Sequence, residues 1–212
     1  MYGRNDLRTT LAPKTIAPAA ERFKSASYAL FYGTEPQVET NVSRTWMTRG
    51  QTMIVAYSEA GASSRFARAD QVDEYAIVLP DDDCAVDVEF GDTVYEMRGR
   101  SVAFVPAGSS VATVRGGTRL LRLFTTQTPE LVAQCSNAAQ YADDDPNVAP
   151  FQPWPDPVGG PKVRVYSGTV PREEGRFGRI YRGSTIMVNM GDGYVGPRKS
   201  ENLSPHHHDD FE

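Results

Sequence analysis

The chain's three histidines stand together, in the run His206-His207-His208-Asp209-Asp210-Phe211-Glu212. On an extended strand successive side chains point to opposite faces, so His206 and His208 share one face and His207 takes the other. Glu212 lies an even number of residues from both and joins that face if the strand continues. Two imidazoles and a carboxylate form a mixed nitrogen and oxygen surface. Such a surface suits a divalent transition metal (Fe, Mn, Ni, Co or Zn) better than Ca or Mg. An ion with open positions binds O₂, polarises a carbonyl or orients an enediol. Asp209 and Asp210 are placed to fix an imidazole tautomer. The competing reading takes the histidines as a solvated surface run or the remnant of a tag.

Other residue groups carry weaker signals. Arg65, Arg68, Asp70 and Glu74 line a pocket on one reading and form a salt-bridge network on the other. Trp46, Tyr57 and Tyr75 stack on a ligand or simply fill the core. Cys84 and Cys135 lack CxxC spacing and read as ordinary reduced thiols. The Asp runs at 81–83 and 143–145 are turn residues. There is no phosphate-cradling glycine loop, no G-x-S-x-G element and no zinc-ribbon spacing.

These residues need a scaffold, and composition limits which one. The chain has 212 residues, 40% apolar and 23% charged, with 18 Gly and 15 Pro, which describes a folded, turn-rich chain. That length holds one generous β-domain or two small ones. A net charge of −5 provides no basic field for phosphates, so nucleic acid and anionic membrane are excluded as expected partners, and a small molecule is favoured. No apolar run has the length of a signal peptide or a membrane span, so the expected location is cytoplasmic.

Short strand-like runs recur from residue 28: 28–32, 38–47, 52–60, 74–80, 85–90, 93–98, 101–107, 111–115 and 119–126. Their β-branched and aromatic content and close Gly, Pro or Asp punctuation predict an antiparallel sandwich or barrel. Phe90-Gly91-Asp92 and Arg115-Gly116-Gly117 read as hairpin turns. Residues 1–27, with Pro13 and Pro18, suit an extended arm. Residues 128–141 predict a helix with Thr128 as N-cap. Residues 143–161 are dense in Pro, Gly and Asp and read as a linker. Strand patterns then resume at 163–168, 177–183 and 185–191.

Residues 52–78 and 185–212 form an internal repeat: an apolar strand, a loop of small residues and an acidic stretch ending in glutamate. At this point the chain resembles the cupin superfamily. His206, His208 and Glu212 match the H-x-H-x-x-x-E element of the first cupin motif, preceded by Gly193 and Gly196. Gly99, Pro106 and Gly108 match the second motif, with Val111 at its histidine position. The repeat sets Arg68 and Asp70 opposite His206 and His208, and Glu74 opposite Glu212. The resemblance implies an all-β, bicupin-like protein. Residues 28–142 form a cupin jelly-roll barrel lacking metal ligands, 143–161 the linker, and 162–212 the first strands of a second, incomplete barrel with the metal motif. It further implies a metal-dependent enzyme (dioxygenase, isomerase or decarboxylase) acting on a small polar or carboxylated molecule. A non-enzymatic small-molecule-binding cupin and a dimerisation scaffold are the alternatives. A homodimer is expected from the arm and from exposed strand edges.

Overall fold

Period-two strands bury one face only when a second sheet covers it, and the chain solves this by folding two sheets over a shared core. The structure, a computed structural model, describes residues 28–173, 178–193 and 195–197. The arm at 1–27 and the run from His206 to Glu212 lie outside the described residues. In chain order the strands are β1 (Val38–Glu39), β2 (Ser43–Arg49), β3 (Met53–Ala60), β4 (Arg65–Gln71) and β5 (Tyr75–Leu79). Then come β6 (Ala85–Phe90), β7 (Thr93–Arg98), β8 (Ser101–Val105), β9 (Gly108–Val114) and β10 (Thr118–Thr125). A one-turn helix, α1 (Pro129–Val132), precedes β11 (Arg164–Ser167), β12 (Gly178–Arg182) and β13 (Met187–Gly191).

One sheet runs β1-β2-β3-β10-β5-β8-β11 and the facing sheet β4-β9-β6-β7. Within them β3-β10-β5-β8 opposes β4-β9-β6-β7, the eight-strand order of a jelly roll built from two Greek keys. The fold class is therefore an all-β jelly-roll barrel. Gly91 sits at φ +57°, at the tight β6–β7 turn. The interior is filled by one face of each strand, including Ile54, Ile77, Leu79, Val86, Val88, Met97, Val105 and Leu120.

Four features depart from the sequence expectation. Residues 28–32 are not a strand; Phe31–Gly33 is a 3-10 turn. β4 was hidden because Arg65-Phe66-Ala67-Arg68-Ala69-Asp70-Gln71 alternates charge with small residues rather than with aliphatics. The helix expected over 128–141 closes after one turn. Its backbone is diverted to β2 instead: Ser136 N–H donates to Met47 O, and the Asn137 amide pairs both backbone groups of Arg49, at 2.9 and 2.8 Å. The segment read as a linker is fastened to the barrel. Gln51 Oε1 accepts from Asp145 N–H at 2.7 Å, Trp154 is buried, and its N–H donates to Ser184 O at 2.7 Å.

After this strap, β11 pairs with β8, and the β12–β13 hairpin lies on the outer face of the same sheet. There Tyr181, Ile186 and Val188 form a second apolar cluster with Ala76, Val78, Val102 and Phe104, flanked by Leu121 and Leu123. Glu74 fixes the hairpin loop: its carboxylate accepts from Ser184 N–H at 2.5 Å and Ser184 O–H at 2.8 Å, and Thr185 O–H donates to its carbonyl at 2.6 Å. The loop fits because Gly183 has no side chain. A Cβ there would stand 2.6 Å from the Phe104 ring and 2.7 Å from Glu74 Oε2. Among the described residues no helix is long and apolar enough to cross a membrane.

Candidate functional site in the barrel lumen

Strand alternation sorts β10 into Leu121 and Leu123 facing out, and Leu120, Arg122 and Phe124 facing in. The sequence Arg-Leu-Leu-Arg-Leu-Phe thus delivers one guanidinium into the core. Arg122 Cζ lies 4.3 Å from the centre of the Phe66 ring and 5.9 Å from that of Phe124, so two aromatic faces hold the cation. Its Nε is sealed from water and has no hydrogen-bond partner among the described residues. Among the described residues no carboxylate acts on it; its neighbours are the Arg68 cation and the Tyr75 hydroxyl. Burial, assisted by Arg68 and opposed by Tyr75, pulls its pKa down to about 10. At neutral pH the group is charged all the same.

Arg68 enters from the facing sheet. On β4, Phe66 and Arg68 pair with Ala112 and Ser110 of β9, and a register shift follows before Gln71 pairs with Gly108. Asp70 occupies that irregularity at φ +52° and is exposed. The bulge brings Gln71 back to Arg68, three positions earlier, and Arg68 Nε donates to Gln71 Oε1 at 2.8 Å. Arg68 Cζ sits 5.5 Å from the Phe124 ring centre. Its Nη2 reaches Glu130 Oε1 at 2.6 Å, which places α1 at the rim of the lumen.

Tyr75 and Ser110 complete the wall, sharing a hydrogen bond of 2.9 Å, with Tyr75 stacked on Phe124 at 5.0 Å. Burial pushes the Tyr75 hydroxyl up, so it stays a neutral donor. Asp73, at the same rim, accepts from Thr125 O–H and from Gln71 at 3.1 Å; burial raises its carboxyl against the pull of those two bonds.

Of the four positions that the cupin resemblance sets at ligand places, only Arg68 lines the lumen. Asp70 is carried off by the bulge. Glu74 is turned outward to Ser184. Val111 pairs with Ala67 and Glu89 on the opposite face of β9 from Ser110. A guanidinium cannot ligate a cation, so these residues do not fit a metal; among the described residues no group of His, Cys, Asp or Glu is gathered as ligands. His206, His208 and Glu212 lie outside the described residues.

The other residues singled out by type and spacing fall elsewhere. Trp46 and Tyr57 face away from the lumen; Tyr57 stacks on Phe31 at 5.3 Å with parallel rings, and Trp46 is tilted against both. Arg65 faces Glu89 across 3.9 Å on the exposed side of β4. Cys84 and Cys135 are free and buried, and burial raises both thiols, which keeps them protonated and unreactive. The residues that sequence reading missed are Phe66, Ser110, Arg122 and Phe124. Arg122 was visible in principle, as the one charge on the inward phase of an otherwise apolar strand.

No protein-family model and no curated protein matches this chain. Among solved structures it is similar to KdgF from Halomonas sp., at 8% identity and a TM-score of 0.41 over 48% of this chain and 94% of that one. An RmlC-like cupin from Shewanella frigidimarina gives 12% identity and 0.41, over 48% and 91% of the two chains. Salicylate 1,2-dioxygenase from Pseudoaminobacter salicylatoxidans, in adducts with gentisate, gives 11% and 0.39, over 47% of this chain and 29% of that one.

Proposed function

We propose that the barrel of residues 28–142 is a small-molecule-binding barrel of cupin type that works without a metal and holds a carboxylate in its lumen. The observation that carries this reading is Arg122, a half-buried arginine whose Nε is sealed from water and, among the described residues, has no hydrogen-bond partner and no carboxylate acting on its charge. Uncompensated buried charge is costly, and it persists where a ligand supplies the missing partner. Tyr75 and Ser110 offer neutral hydrogen bonds beside it, and Phe66 and Phe124 give an apolar wall. Titration calorimetry with small carboxylates tests the reading. Binding to the wild type and a loss of about tenfold or more in Arg122→Met is expected, on the scale of a charge-assisted hydrogen bond. Equal binding by both proteins overturns it.

The H-x-H-x-x-x-E spacing favours a second reading, that residues 162–212 open a second cupin-type unit and that His206, His208 and Glu212 hold a divalent transition metal. Such an ion would supply Lewis-acid or O₂ chemistry for a dioxygenase, isomerase or decarboxylase. Strand alternation gives the test: His206→Ala and His208→Ala abolish metal content, and His207→Ala retains it. Equal loss from all three variants, or from none, returns the run to a solvated segment. A homodimer through strand edges belongs to the same reading, and light scattering that finds a monomer at every concentration removes it.

A further inference from the structure

We infer that the ligand of the lumen is a short dicarboxylate and that Glu130 is its built-in competitor, occupying Arg68 until the second carboxylate of the ligand displaces it. This rests on the reading of Arg122 as an anion anchor and adds a second anchor, a charge class and a gate.

Both guanidinium groups lie against one ring, Phe124, at 5.5 and 5.9 Å from its centre, and the charge of Arg68 acts on Arg122, so the two cations are neighbours on one wall of the lumen. The two cations differ in what answers them. Arg122 has nothing. Arg68 has Glu130, and that pair is lopsided: the Arg68 side chain is 11% exposed and the Glu130 side chain 56%. The cation is fixed in the wall while the anion arrives from the solvent side on a one-turn helix. Gln71 orients the Arg68 fork through Nε, so the fork keeps its aim when Glu130 leaves. An ion pair with one partner this exposed is weak and exchangeable.

Charge counting then selects the ligand. Among the described residues Glu130 and Asp73 are the acids bonded at this rim. Asp73 turns its carboxylate to Thr125 and Gln71 rather than to either arginine. With Glu130 seated, the lumen carries one uncompensated positive charge. With Glu130 displaced, it carries two. A monocarboxylate neutralises Arg122 and leaves the Glu130 bridge alone, whereas a dicarboxylate replaces Glu130 and answers both guanidinium groups with bidentate geometry.

Calorimetric titrations of the full chain with malonate, succinate, acetate and inorganic phosphate decide the matter, in the wild type, Glu130→Gln, Glu130→Ala and Arg122→Met. Either Glu130 substitution tightens malonate or succinate by about fivefold, the scale of the exposed ion pair it removes. That gain disappears when Arg68→Met is added. An unchanged or weaker dicarboxylate affinity in both Glu130 variants overturns the competitor. Phosphate or acetate binding more tightly than either dicarboxylate overturns the ligand class. In both cases a binding loss confined to Arg122→Met leaves the lumen reading standing; no anion binding to any protein removes that reading as well.

Discussion

Arg122 is the residue at which stability and binding pull in opposite directions. Its folded-state pKa lies below its ordinary value, so the charged form that exists at neutral pH is disfavoured by folding. A fall to about 10 corresponds to at most roughly 3 kcal/mol against the folded state, since the side chain as a whole is only half-buried. That penalty is fully present below pH 10 and is relieved only as pH rises through the folded-state value. Arg122→Met, of similar length and apolar, should therefore raise the unfolding free energy at pH 7 by up to roughly 3 kcal/mol in denaturant titrations, and by less as pH approaches 11. A variant less stable than the wild type at pH 7 would show that the two aromatic rings already compensate the charge. The same arithmetic makes a bound anion a strong stabiliser, since it restores the partner that the fold omits.

The strands carried their own signature where aliphatic and aromatic residues recur every second position, as in β3, β5, β6, β8 and β10. β4 did not, because its outward positions are Arg65, Ala67 and Ala69 and its inward ones include Arg68 and Gln71. Period two was present, but polarity on both faces masked it. The bulge at Asp70 was equally hidden, and it moved Asp70 off the face that spacing alone assigned to it. Residues 128–141 misled in the opposite direction: helix-favouring composition was overridden by Asn137 and Ser136 bonding to β2. At the Glu74 loop the decisive contact is steric. Gly183→Ala should lower the melting temperature by several degrees and detach the hairpin first, because the new methyl meets a ring and a carboxylate in a packed interface. Hydrogen exchange of Tyr181 and Val188 amides reads this directly; unaltered protection would mean that the loop backbone shifts to make room.

At the scale of the whole molecule, the jelly roll is not finished by its own ten strands. The outer faces of β5, β8 and β10 present Ala76, Val78, Val102, Phe104, Leu121 and Leu123, and among the described residues it is Tyr181, Ile186, Val188 and Met190, beyond the strap, that cover them, with Met53 at the edge. Composition marks 143–161 as the natural place to divide the chain, yet the strap is where one wall of the barrel begins to be roofed. A polypeptide ending at residue 145 should thus fold its lumen and still self-associate through a bare aliphatic wall, which light scattering would register as growth with concentration while the intact chain stays constant in size. Proteolysis in the strap would have the same effect on the protein's lifetime only if the later strands then left, because β11–β8 pairing and the Glu74 loop still hold them to the wall after the chain is cut.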